Sequence, residues 1–229
     1  VKSTSEFARE VRKRLHEHYG APSWRNPLPA IDELVSTILS QNTNDTNRDR
    51  AFEALTERFP SWEAVRDADP EQVIDAIRSA GLANQKGPRI QRILRQISEE
   101  QGSLNLDYLR DLPADEAREE LLRFKGVGPK TAAIVLLFSL DKPDFPVDTH
   151  IYRVTGRLGL RSEGMTAEAA HQHLATIFPP ESYAEVHLNL IRHGREICHA
   201  RNPQCALCFL SDLCAYYAHT VRDQSGIAS

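Results

Sequence analysis

Leu121 to Leu140 reads LLRFKGVGPKTAAIVLLFSL, with two glycines, a proline and a lysine at the point where an apolar run begins. From Thr131 to Leu140 the run is hydrophobic nearly all round. That suits a central helix buried on every side. ADEAREELLRF before it has the spacing of an amphipathic helix, and Pro129 fits the first position of the helix that follows. Two helices joined by KGVG make a helix-hairpin-helix.

The rest of the chain agrees. DPEQVIDAIRSAG offers Asp69 as a cap, Pro70 in the first turn and Gly81 past the end. Similar apolar spacing runs through IDELVSTIL, RDRAFEALTERF, PRIQRILRQI, AEAAHQHLATIF and YAEVHLNLIRHGREI, with short polar or Gly/Pro breaks between them. Strand alternation is almost absent, so the expected class is all-α. At 229 residues and 41% hydrophobic content the chain can bury one sizeable core or two modest ones. No apolar run reaches the roughly 18 residues of a membrane span, and the charged first segment is unlike a secretion signal. A soluble, cytoplasmic protein with no membrane partner is expected.

The hairpin carries the chemistry. Gly126 and Gly128 allow positive φ and leave backbone N-H groups uncovered beside a helix start, a combination that can hold a phosphate or simply make a sharp bend. Lys130 falls in the first turn of the second helix. The positive end of that helix disfavours an ammonium and so favours the free amine a nucleophile needs. In FPVDTHIYRV, Asp148 can cap the next helix and can also serve as a carboxylate partner to such an amine. An amine and a carboxylate suit displacement at a sugar carbon.

A net charge of -4 argues against a polyanionic partner until its distribution is considered. Three windows lack acids: Arg78, Lys86, Arg89, Arg92 and Arg95; Arg123, Lys125 and Lys130; and Arg153, Arg157 and Arg161. Solvated helix faces or faces turned toward phosphates would both account for them. All four cysteines, Cys198, Cys205, Cys208 and Cys214, lie within 17 residues, so they form one local metal site rather than a disulfide framework. Read from chemistry alone, that site can take an iron-sulfur cluster or zinc.

Together, GVGPKTA, VDTHIYRV and the spacing C-x6-C-x2-C-x5-C resemble the helix-hairpin-helix Gly/Pro-Asp DNA glycosylases, and within them the endonuclease III family. The likeness runs from about Ile31 to Tyr216. It implies a [4Fe-4S] cluster on the four cysteines and two helical domains. A six-helix barrel domain with the hairpin would span 29–141, and an iron-sulfur cluster domain would combine 1–28 with 142–229. Double-stranded DNA with damaged bases or abasic sites would cross the cleft between them, bound by a monomer.

It also implies roles. Lys130 and Asp148 would be catalytic in a bifunctional glycosylase with AP lyase activity, acting on oxidised pyrimidines. Gly126, Val127, Gly128, Lys125 and Arg201 would meet the DNA backbone. Leu82 would wedge into the stack, with Gln41 and Asn42 beside the orphaned base. Lys125 stands where the family usually has proline, Pro129 where a basic residue is common, and Asn202 and Gln204 where the cluster loop is often basic. SQNTND resembles instead the relatives that remove alkylated purines. The alternatives are therefore a monofunctional alkyl-purine glycosylase or a non-catalytic DNA-binding or electron-transfer module. A further C-terminal domain of the adenine-excising type is not expected, since Ala215 to Ser229 alone follow the last cysteine.

Overall fold

Side-chain caps start six of the helices in the computed structural model, which describes residues 3–22 and 27–225; of the segments expected in the cluster domain, residues 1, 2, 23–26 and 226–229 lie outside the described ones. The helices are α1 (Thr4–Tyr19), α2 (Ala30–Ser40), α3 (Asp45–Arg58), α4 (Trp62–Asp67), α5 (Pro70–Ala76) and α6 (Ala83–Gln101). They continue as α7 (Ala114–Leu122), α8 (Pro129–Ser139), α9 (Thr149–Leu158), α10 (Ala167–Ile177), α11 (Tyr183–Glu196) and α12 (Ala215–Ser225). Ser3 and Glu6 form a reciprocal capping box on α1, and Asn44, Ser61, Asp69, Asp148 and Thr166 each accept a first-turn N-H. No described residue lies in a strand, and no described helix is long and apolar enough to cross a membrane.

Contacts divide the chain into two units, Asn26–Lys142 and Val1–Arg25 with Pro143–Ser229. In the first, the hairpin unit, α8 is buried at Thr131, Ala132, Ala133, Val135, Leu136 and Phe138 and packs against α2 and α7. This is the central helix its all-round apolar character calls for. The core continues through Leu34 and Ile38 of α2 and Ile90 and Leu94 of α6.

In the second, the cysteine unit, α11 packs on α9 and α1. Phe145 stacks on Phe178 with centroids 5.5 Å apart and meets Tyr183 edge-on at 5.3 Å. Arg14 of α1 reaches Asp212 at 2.5 Å and the carbonyl of Phe209 at 3.3 Å, so the N-terminal helix is tied to the segment between the last two cysteines. A Cβ on Gly194 would stand 2.9 Å from His150 Cβ, and glycine there lets α11 come close to α9.

Two local expectations shift. The segment ending at Gly81 is helical only to Ala76 and then tightens into a 3-10 turn over Arg78–Ala80, with Gly81 at φ 68°. The helix expected at PRIQRILRQI begins five residues earlier, at Ala83, and contains Pro88. Its N-cap is Leu82, which holds φ 52° and makes no side-chain cap, so nothing in the residue type announces the start.

Candidate active site and cysteine pocket

The hairpin turn is built around one left-handed glycine. Gly126 has φ 101°, whereas Gly128 has φ −103°, an ordinary extended value, so only the first of the two needs the freedom expected of both. The Val127 N-H donates to Phe124 O at 2.9 Å and its side chain is buried, so Val127 shapes the turn and offers no donor to a ligand. Gly128 serves differently. A Cβ there would meet nothing within 4 Å, and no side chain caps α8. The first-turn donors of α8 therefore have no side-chain acceptor at the N-cap.

Lys130 is the second residue of α8 and half-buried. Its amine has no hydrogen-bond or ion-pair partner among the described residues. Lys125 is exposed in the turn.

Gln41 follows α2 and reaches the hairpin. Its Nε2 donates to Gly126 O at 3.4 Å, while its Oε1 accepts from Arg89 Nη1 at 2.7 Å. Arg89 lies so close over the turn that a Cβ on Gly126 would stand 2.5 Å from Arg89 Cδ. Asn42 is exposed at φ 53°, and Leu82 is 47% exposed at φ 52°. Both are non-glycine residues in the left-handed region, a strain that tends to gather at functional turns.

The basic windows do not form continuous faces. Lys86 is 1% exposed and donates to two carbonyls, Arg78 pairs with Asp75 at 2.9 Å, and Arg123 pairs with Glu120 at 2.6 Å and Glu100 at 3.2 Å. Arg161 covers the Tyr152 ring at 3.5 Å. Lys125, Arg92 and Arg95 do stay exposed.

In the cysteine unit, Asp148 caps α9 through Oδ1, which accepts the Ile151 N-H at 2.8 Å. Its other oxygen makes no hydrogen bond among the described residues. His150 has its pKa lowered by burial, against the opposing pull of the Asp148 charge. Its Nδ1 accepts from Arg153 Nη2 at 3.1 Å, which fits a neutral ring carrying its proton on Nε2. Arg153 also donates to Cys198 O at 3.0 Å and to Gly194 O at 2.9 Å.

The four cysteines line one pocket, walled also by Val154, Leu158, Ile197 and Tyr216. No disulfide joins any of the four. Arg157 Nη1 lies 3.3 Å from Cys198 Sγ and 2.7 Å from His199 O, and His193 Nε2 lies 3.6 Å from Cys208 Sγ. Burial pushes the Cys208 thiol up to about 11 and raises that of Cys214. Burial likewise lowers His193 to about 4.

Four sulfurs round an apolar cavity suit a polynuclear cluster. A mononuclear zinc site would draw its sulfurs to about 2.3 Å from one centre. The donor set is all thiolate, with N-H donors from Arg157 and His193 available to the sulfurs, and it fits an iron-sulfur cluster. Arg201 is exposed in the loop between Cys198 and Cys205, where Asn202 takes φ 50°.

Arg89, Arg153, Arg157 and His193 are the supporting residues that sequence reasoning missed. The arginines were visible only as members of basic windows, and their carbonyl and sulfur partners are distant in sequence.

Comparison with known proteins adds to this geometry. Residues 35–180 match the HhH-GPD superfamily base excision DNA repair protein, and residues 198–214 match the iron-sulfur binding domain of endonuclease III. A protein of Arabidopsis thaliana named as a DNA glycosylase is 41% identical over 72% of this chain, which spans 56% of that protein's length. Endonuclease III of Thermotoga maritima is 35% identical over 93% of this chain and 92% of its own. The solved structure of a trapped endonuclease III-DNA covalent intermediate superposes with a TM-score of 0.81 at 27% identity, covering 96% of this chain and all of that one.

Proposed function

We propose a reaction for a chain that belongs to the HhH-GPD superfamily of base excision DNA repair proteins and, within it, to the endonuclease III family: removal of an oxidised pyrimidine from double-stranded DNA, followed by cleavage of the abasic strand. The observation that carries this reading is the unpartnered amine of Lys130 at the second position of the uncapped α8. A covalent enzyme-DNA intermediate in a similar protein supports it.

The Lys130 amine attacks C1′ of the extruded nucleotide through its nitrogen lone pair, forming the N-C1′ bond as the glycosidic bond breaks and the base departs with the bonding pair. The free oxygen of Asp148 takes the proton the amine releases and steadies positive charge on the sugar as it develops. Opening of the sugar gives an iminium at Lys130. Loss of a proton from C2′ then expels the 3′ phosphate, and water later frees the lysine.

The remaining residues bind and extrude. Gly128 and the start of α8 receive a backbone phosphate with Lys125 as a flanking cation, and Arg201 of the cysteine unit meets a backbone phosphate of its own. Val127 supports the turn that presents them. Leu82 fills the space left by the flipped nucleotide, and Gln41 and Asn42 face the orphaned base. Cys198, Cys205, Cys208 and Cys214 hold a [4Fe-4S] cluster, which when bound supplies a redox-active cross-link that braces the Arg201 loop.

The test is borohydride trapping on duplexes bearing thymine glycol, an alkylated purine or an abasic site. Wild type is expected to trap on thymine glycol and abasic DNA, and Lys130→Ala on neither, while still binding. Undiminished trapping by Lys130→Ala removes the assignment. Release of the alkylated purine without nicking identifies a monofunctional enzyme instead.

A further inference from the structure

Lys86 has no role in the reaction above, yet it is among the most deeply buried large side chains in the protein. Its ammonium donates to Leu39 O at 2.7 Å and Ala80 O at 2.8 Å. Among the described residues no carboxylate pairs with it. A buried cation without a counter-ion is costly, and an apolar side chain of the same length would avoid that cost.

The two acceptors explain what the cation gains. Leu39 is the penultimate residue of α2, and Ala80 ends the 3-10 turn over Arg78–Ala80. Carbonyls at helix ends lack partners along the helix and carry its negative pole, so one ammonium satisfies two such ends together. Immediately beyond each end the chain enters a strained turn. Gln41 and Asn42 follow Leu39 by two and three residues, and Gly81 and Leu82 follow Ala80 directly, with Asn42, Gly81 and Leu82 all at positive φ. The link spans 47 residues of sequence on one side and six on the other.

We propose that Lys86 is a positioning residue that fixes the Gln41–Asn42 turn and the Leu82 turn relative to each other, so that wedge and base-facing groups enter the duplex as one preset unit. The part concerning DNA rests on the reading of Gln41, Asn42 and Leu82 given above. Lys86 touches no DNA in this scheme and acts only through the two carbonyls. Misplacement of such groups by about 1 Å lowers turnover by on the order of 100-fold.

The experiment compares cluster-loaded wild type, Lys86→Met and Leu82→Ala. Hydrogen exchange reads the positioning directly. Lys86→Met is expected to speed exchange over residues 40–44 and 80–85 at least about tenfold, with 129–139 and the cysteine unit unchanged. Equal acceleration throughout the hairpin unit would make Lys86 an ordinary core residue, and unchanged exchange would remove its role; either overturns the inference.

Turnover then reads the use of that positioning. On thymine glycol duplex Lys86→Met is expected to lose at least about tenfold in kcat, while its trapping on single-stranded abasic DNA, which needs no wedge, stays within about twofold. A parallel loss on both substrates counts against positioning. Fluorescence of 2-aminopurine opposite the lesion separates the two claims. If Leu82→Ala keeps the wild-type signal, Leu82 is no wedge, yet selective loosening of the turns in Lys86→Met still stands. Should Lys86→Met fail to fold, Lys86→Gln, which can retain one of the two bonds, is expected to give the same pattern at smaller amplitude, and uniform loosening there overturns the inference equally.

Discussion

Arg89 in the hairpin unit and Arg157 in the cysteine unit each lie across an irregular turn, but they leave those turns in different conditions. Arg89 packs over Gly126 and holds Gln41 Oε1 at 2.7 Å, and Gln41 in turn donates to Gly126 O at 3.4 Å. The hairpin is thus braced by protein groups alone and leaves the Lys130 amine free. Arg157 donates to His199 O at 2.7 Å and Ala200 O at 3.1 Å and reaches Cys198 Sγ at 3.3 Å, yet the turn it braces borders a cavity. Burial there raises the Cys208 and Cys214 thiols, so as free thiols they resist the ionisation that ligation needs. Folding alone completes the first turn, and the second is completed by what binds between the cysteines. A reactive amine needs a site that is rigid before substrate arrives, whereas a brace can be assembled with its cofactor.

Removing one ligand should break the symmetry most strongly. In Cys208→Ser we expect loss of the brown cluster absorbance and a cost above about 5 kcal/mol to the cysteine unit, because binding energy at such sites is folding energy. Exchange should become fast over residues 183–214, while 30–39 and 129–139 remain protected. Retained protection in the cysteine segments would show that this unit, too, is finished without its cluster.

The two hairpin glycines give the converse test at about 3 kcal/mol. Gly126→Ala places a Cβ at φ 101° and 2.5 Å from Arg89 Cδ, so it combines backbone strain with loss of the Arg89–Gln41 bond. It should lower the melting temperature while cluster absorbance stays normal. Gly128→Ala meets nothing within 4 Å at an extended φ, so it should cost less than about 0.5 kcal/mol. It should nevertheless weaken duplex binding, since the new methyl occupies the space before α8 where a phosphate would approach. Equal stability losses in both variants would refute this division of labour.

What the sequence made legible was local. Asp69, Asp148 and Pro129 do what their types dictate at helix starts, and an all-round apolar run becomes a buried helix because it has no polar face to expose. The hairpin and the cysteine spacing are short-range patterns of the same kind.

The basic windows misled because spacing by three is not a helix face. At about 100° per residue each step of three drifts by about 60°, so a cation nine residues on stands on the opposite side. Lys86 is accordingly buried, Arg89 half-buried, and Arg92 and Arg95 exposed. Arg153 and Arg157, spaced by four, do share a face, but the face meets the loop after α11, and their partners Cys198, His199 and Ala200 lie more than 40 residues away. Leu82 as a helix start was hidden for another reason: it is a turn imposed by its neighbours and has no capping group of its own.

Arg157→Met probes the brace without touching a ligand. It removes the bond toward Cys198 Sγ, both carbonyl bonds and the guanidinium contact with the Tyr216 ring, and keeps an unbranched apolar stem. Bonds from a charged donor support a loss of about 2 kcal/mol in the cysteine unit. Cluster bleaching under mild oxidant should be several-fold faster, and trapping on abasic DNA should stay near wild type while the cluster lasts. Bleaching at the wild-type rate would mean that the cysteines hold the loop unaided.

A graded effect separates a turn braced by charge from one braced by hydrogen bonds alone. Burial lowers Lys86 from 10.5 to about 8, and the nearby Arg89 charge acts in the same direction. Below pH 8 both folded and unfolded chains keep the proton, and the folded protein bears the whole cost of burying the charge. Between pH 8 and 10.5 the unfolded chain holds more protons than the folded one, so the Lys86 contribution to stability rises with pH by at most about 1 kcal/mol per pH unit. A neutral amine still has two N-H groups for Leu39 O and Ala80 O, so the bonds survive this change. Urea unfolding of wild type and Lys86→Met at pH 7, 8, 9 and 10 isolates the effect, because other titrations cancel in the difference. The difference should be flat up to pH 8 and then move in favour of wild type. A difference that stays level to pH 10 would mean that the folded ammonium is not destabilised by its burial, and that the two carbonyls solvate it as fully as water does.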